Sequence, residues 1–283
     1  MKRLQKFVDE EIQKMNKSPR AEFEGYSPNE MDLIINHPLD TSSPIQLVND
    51  NSSDYQAIPL FNQVKFLFDL VEEQGELKLT AAGFLSPKLV VDLYGKGYIK
   101  DYLIEKGISK LYREEGVDSI QLARILLELS SFTKKRKNII SLTKEGARQI
   151  ANDQLLFLDI FQNFTRKFNW SYFDSYQNQT IGQVGFGYSL ILLAKYGDEY
   201  RSPNFYATKY LTAFPPQKQT NNPVLAFAQD PKNCYSIRTF DRFLDYVGFT
   251  EISKVDYSKL GERKVRKTEL FDTIIKVSAP KGK

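Results

Sequence analysis

KKRKNIISLTKEGARQIA, residues 134 to 151, is the stretch on which the fold turns: four cations, a short apolar strand, a threonine and the start of a helix. Leu142 is placed to plug a core. Thr143 follows it, where a hydroxyl accepts a backbone N–H and caps the next helix, a contact worth ~1 kcal/mol. Glu145 suits the positive helix N-terminus, and Gly146 permits another backbone to come close. Upstream, ILLEL at 125–129 is apolar at helical length, so the order is helix, basic hairpin, capped helix.

The pattern recurs. FLFDL at 66–70 leads through EEQGE to LKLTAAG, and RFLDYVGF at 242–249 leads through a longer loop, with Lys259 in it, to KVRKTELF. Each strand ends in a threonine (Thr80, Thr143, Thr268) after an apolar plug (Leu79, Leu142 and, more weakly, Val265). The connectors lengthen from unit to unit, which an exposed hairpin tip tolerates because closure entropy grows slowly with length. This order resembles the winged helix-turn-helix unit, whose recognition helix precedes a wing and whose last strand often ends LTxxG. The middle unit matches best; the first keeps LTAAG with a very short wing, and the third has Phe271 in place of the glycine.

Elsewhere the chain reads as helix and loop. Leu4, Phe7, Val8, Ile12 and Met15 mark a helix from about Arg3 to Met15. Ser27, Pro28 and Glu30 form a helix-start signature, and His37 and Pro38 close that helix. DTSSPIQLVNDNSSD at 40–54 marks a linker, and 153–216 reads as helices packing the units together, the last ending at FPP, Phe214 to Pro216. The expectation is an α+β protein, mainly helical, with two or three winged-helix-like units around a helical connector. Its segments are an N-terminal helical arm and linker (1–54), a tandem winged-helix-like region (55–152), a helical connector (153–230) and a C-terminal winged-helix-like unit (231–283).

Composition narrows the class. At 283 residues with 41% hydrophobic and 26% charged residues, a packed core is expected in roughly two domains. No apolar run approaches ~18 residues and the first residues lack an apolar signal core, so a cytoplasmic protein without membrane contact is expected. One cysteine, Cys234, and one histidine exclude an intrachain disulfide and a zinc site built from nitrogen and sulfur ligands; no metal and no cofactor are expected.

Blocks across nearly the whole chain, EGYSPNEMDLI, LKLTAAGFLSPKLVVDLY, ISLTKEGARQI, FNWSYFDSY and RFLDYVGF with KTELFD, resemble an uncharacterised bacterial family that occurs beside SEC-C-type zinc tails and plasmid-associated domains. The resemblance implies no established activity and no catalytic residues. The lone cysteine leaves no zinc tail of that type here.

For nucleic acid the argument is local charge. Lys134, Lys135, Arg136 and Lys137 lie at the expected wing tip, with Arg124 on the helix before it and Lys144 and Arg148 after it. Arg263, Lys264, Arg266 and Lys267 occupy the equivalent place in the third unit, with Arg238 and Arg242 before them. Such cations contact phosphates, although the ordinary reading of one charge run is a solvated edge. Glu72, Glu73 and Glu76 oppose a duplex, and IQLARILLELSS has few side chains able to read bases. FNWSYFDSY offers Trp170, Tyr172, Asp174 and Tyr176 as the lining of a ligand groove, with core aromatics as the ordinary alternative. The carboxylate pairs Glu10–Glu11 and Glu114–Glu115 read as helix-surface charges, and GQVGFG at 182–187 fits no nucleotide loop. Two functions stay open, a non-catalytic binder of nucleic-acid backbone and a protein-interaction scaffold; an enzyme ranks third.

Overall fold

Apolar residues spaced three and four apart build most of the chain into helices, and the strands between them are only two to four residues long. The fold is α+β and mainly helical. The computed structural model describes residues 2–48, 52–149, 152–215, 229–253 and 263–282; Pro216 and Lys259 lie outside them. In chain order the elements begin α1 (Lys2–Lys17), α2 (Pro28–Asn36), β1 (Ile45–Leu47), α3 (Ser52–Tyr55), α4 (Pro59–Gln74), β2 (Leu77–Lys78), α5 (Pro87–Gly95) and α6 (Tyr102–Glu105). They continue with α7 (Asp118–Leu129), β3 (Thr133–Arg136), β4 (Ile139–Leu142), α8 (Lys144–Arg148), α9 (Asp153–Gln162), α10 (Phe186–Tyr196), α11 (Pro203–Ala213), β5 (Thr250–Ile252), β6 (Val265–Lys267) and β7 (Ile275–Val277). No helix among the described residues is long and apolar enough to cross a membrane.

Two compact units share the chain, 1–48 with 175–241 and 250–283, and 49–174 with 242–249. They interleave in sequence, unlike the four consecutive segments expected. The reason is long-range pairing, most plainly that of β1 with β7, which residue patterns near each strand do not reveal.

In the unit of 49–174 and 242–249, α4 buries Leu60, Phe61, Val64, Leu67, Phe68 and Val71. Gly75 stops it in a left-handed conformation at φ 77°. Along α4 lies α7, burying Ile120, Ala123, Leu126 and Leu127. Each such side chain removed from water contributes about 1.5–3 kcal/mol. A second cluster joins Tyr55, Phe61, Phe157, Phe161, Phe243 and Trp170 through ring contacts of 4.7 to 6.4 Å.

The three strands of this unit form one antiparallel sheet in the order β2-β4-β3. This corrects the tandem reading: the strand after FLFDL has no wing of its own and instead completes the sheet of the middle hairpin. Thr80 is corrected with it. Its hydroxyl accepts from the Phe84 amide at 3.1 Å and closes a turn, while Ser86 caps α5. The plugs shift as well, because β2 and β4 turn Leu77 and Ile140 inward; both are buried, whereas Leu79 and Leu142 are half-buried at the strand ends. Thr143 caps α8 as expected, accepting from the Gly146 amide at 3.0 Å and donating to the Ser131 carbonyl at 3.0 Å. A Cβ on Gly146 would lie 2.0 Å from the Phe132 carbonyl oxygen, so only glycine fits.

In the other unit, α2 starts with the full capping box: Ser27 accepts from the Glu30 amide, and Glu30 accepts from the Ser27 amide at 2.8 Å. The buried helix α10 approaches α2 so closely that a Cβ on Gly187 would lie 2.8 Å from the Ile34 carbonyl oxygen. Beside α11, Tyr210 stacks on Tyr235 at 4.4 Å, and Cys234 is buried next to it. β1 pairs with β7, and β5 with β6, both antiparallel. Thr268 caps the helix Glu269–Ile274 by accepting from the Phe271 amide at 3.3 Å. Residues 4 to 15 of α1 are all exposed.

Candidate nucleic-acid interface

The β3–β4 hairpin closes through Lys137 and Asn138, both left-handed at φ 48° and 60°, which matches the strand twist of a two-residue hairpin turn. Its tip is pinned. The Asn138 amide side chain donates to the Thr80 and Ala81 carbonyls at 3.2 and 3.1 Å, and the Leu79 amide donates to the Asn138 carbonyl at 2.8 Å.

Strand alternation then sorts the cations by face. Thr133 and Lys135 point with Ile140 and Leu77 toward α7, and the Lys135 ammonium donates to Glu128 at 2.9 and 3.0 Å. Lys134 and Arg136 take the opposite, outer face. Register places Lys78, Ile139 and Arg136 in one row across the three strands, with Lys134 and Ser141 in the next. At about 4.8 Å between strands, the Lys78 and Arg136 backbones are about 10 Å apart. Among the described residues, Lys134, Arg136 and Lys137 have no carboxylate in ion-pair range, and Lys78 meets only Glu76 at 3.2 Å. On α8, Lys144 is exposed and Arg148 lies 3.8 Å from Glu145.

Arg124 is corrected: it is buried and donates to Glu114 at 2.6 Å and to Glu128. Burial pushes the Glu114 carboxyl above its ordinary range, against the pull of a bond from the Leu85 amide and of Arg124. Every residue of α7 is buried or half-buried, and its half-buried residues, Asp118, Ile125, Glu128 and Leu129, include no cation or amide to read base edges.

The third hairpin differs in kind. Arg263 pairs with Asp241 at 2.7 Å, Arg266 with Glu251 at 2.7 Å, and Lys267 with Asp198 and Asp272 at 3.0 Å each. Hydrogen bonds from Tyr200 and Arg266 hold the Glu251 carboxyl below its ordinary range. Before the hairpin, Arg238 is fully buried and donates to the Asn178 and Ile181 carbonyls at 2.7 and 3.3 Å. Arg242 bonds to the Phe173 carbonyl at 2.7 Å and pairs with Asp174 and Asp118 at 3.2 and 3.4 Å. Only Lys264 of this set is exposed with no carboxylate partner among the described residues. The expectation of phosphate contact is corrected for Arg238, Arg242, Arg263, Arg266 and Lys267, which carbonyls or carboxylates of the chain already hold.

Of the groove residues expected at 168–176, Trp170 is corrected as a lining residue, because it is buried. Its indole N–H donates to the Phe164 carbonyl at 2.8 Å, Tyr172 is exposed, Asp174 is tied to Arg242, and Tyr176 belongs to the other unit.

No family model, curated protein or solved structure matches the chain. The site therefore rests on its own geometry. Lys78 is the member that sequence reasoning missed: the alternation in LKLT places it opposite Leu77 and Leu79, but nothing local says that this strand joins a hairpin some sixty residues on.

Proposed function

We propose that the protein is a non-catalytic nucleic-acid binder that grips a duplex by its phosphates through the outer face of the β2-β4-β3 sheet. The order α4, β2, α5, α7, β3, β4, with β2 beside β4, supports a single winged-helix-like unit here. The observation that carries the function is the rigid row of Lys78 and Arg136 beside Lys134 and Lys137, three of them without carboxylate partners among the described residues. Because α7 is covered, recognition is of backbone and not of bases. The family resemblance lends no activity to this reading, and the cytoplasmic compartment belongs to the same proposal.

The test is fluorescence anisotropy of the full chain on a random-sequence duplex across a salt series. Expected is micromolar binding at low salt that weakens steeply as salt rises. Replacing Lys78, Lys134, Arg136 and Lys137 by Ala lowers the logarithmic salt slope by about 0.9 per lost contact. Absence of binding at tens of micromolar would sink the proposal. The second reading, a protein-interaction scaffold, is favoured by one observation: Leu4, Phe7, Val8, Ile12 and Met15 of α1 form an exposed apolar stripe.

A further inference from the structure

The connection between α5 and α7 runs through residues 96–117 and holds only the single turn α6, after which 106–117 is longer than the ~2–8 residues that usually join two helices. Its order comes from a few polar ties. Asp101 caps α6 by accepting from the Leu103 and Ile104 amides at 2.8 and 3.1 Å, the Tyr94 hydroxyl donates to Glu105 at 2.9 Å, and Glu114 accepts from the Leu85 amide at 2.6 Å. These ties hold up side chains that water should disfavour: Tyr102 and Tyr112 are 60% exposed, Ile108 69% and Leu103 46%. Cations accompany both rings. Lys106 lies over Tyr102 at 5.9 Å and Arg113 over Tyr112 at 5.7 Å. Lys106, Lys110 and Arg113 have no carboxylate in ion-pair range among the described residues.

We infer that this connection binds single-stranded nucleic acid by stacking unpaired bases on Tyr102 and Tyr112, with Lys106, Lys110 and Arg113 on the flanking phosphates. Flat aromatic faces interleaved with cations match an unpaired strand, whose base faces are open; a duplex hides them. A protein partner fits less well because its interfaces are depleted in lysine. A lipid surface fits less well because α6 is a single turn carrying Glu105, too short for an interfacial helix. The connection is also tied to the wing: Glu114 pairs with Arg124, Arg124 with Glu128, and Glu128 with Lys135. Its two tyrosines belong to none of the three strands, so separate variants test this inference and the duplex reading.

The experiment uses the full chain and a labelled 20-nucleotide mixed-sequence single strand, as DNA and as RNA, with a random duplex and phosphatidylserine vesicles alongside. Tyr102→Ala with Tyr112→Ala should weaken single-strand binding about 5-fold or more per ring, in DNA, RNA or both, and leave duplex affinity unchanged. Tyr102→Phe with Tyr112→Phe, which keeps both faces, should hold single-strand affinity within about twofold. Wing variants should weaken the duplex by far the more. The inference is overturned if the Ala pair binds single strands as the parent does, if the Phe pair loses as much as the Ala pair, or if the parent binds neither single strand at tens of micromolar. Capture by vesicles in place of single strands overturns it too.

Discussion

The β3–β4 and β5–β6 hairpins look alike in sequence, each with a run of cations and a capping threonine, yet they are opposites electrostatically. On β3–β4 the outer cations lack carboxylates among the described residues, and only Lys135 is held, by Glu128. On β5–β6, Arg263, Arg266 and Lys267 meet Asp241, Glu251, Asp198 and Asp272. A basic run thus says nothing of an interface until the acids delivered by the rest of the chain are known. The third position of the capped helix differs too: Gly146 admits a carbonyl, whereas Phe271 fills a core.

The largest effect that would sharpen this contrast comes from Arg124. Arg124→Ala strands Glu114 without its buried partner and should cost about 3–5 kcal/mol in urea unfolding. A variant of unchanged stability and weaker duplex binding would return Arg124 to the interface. Next, Gly146→Ala drives a Cβ into the Phe132 carbonyl and should cost about 1–3 kcal/mol by thermal or urea unfolding.

A pair of triple variants then sets the hairpins against each other. Lys134, Arg136 and Lys137 to Ala should change stability by less than about 0.5 kcal/mol while weakening duplex binding. Arg263, Arg266 and Lys267 to Ala should do the reverse, lowering the unfolding midpoint slightly with duplex affinity kept. Equal effects on binding would dissolve the comparison.

The smallest effect is a titration. The folded Glu251 carboxyl sits below its ordinary 4.5, so its pairing contributes fully above that pH and is lost as pH falls through the lower folded value. Carbon-detected NMR should give a Glu251 midpoint below 4.5, and Arg266→Ala should raise it; a midpoint at or above 4.5 in the parent would mean that neither Tyr200 nor Arg266 holds the carboxylate.

Local chemistry was legible in the sequence. The Ser27 capping box, the Thr143 and Thr268 caps and the close approach at Gly146 all follow from residues within a few positions of each other. What was not legible depends on distant partners. Leu77 and Lys78 look like half of a hairpin until Ile139 and Ile140 are found beside them, and Arg238 looks solvated until the Asn178 and Ile181 carbonyls enclose it. The tyrosines of 96–117 escaped notice because exposure, not spacing, sets them apart.

Pairing Ile45 with Val277 has a consequence for how the protein is made. At ~5–20 residues per second, the ribosome delivers β7 roughly 10 to 50 seconds after β1. The second unit waits almost as long, since the Leu60 amide bonds to the Tyr246 carbonyl at 2.9 Å. For that interval the nascent chain holds both apolar interiors unfinished, a window in which a chaperone has exposed apolar chain to hold.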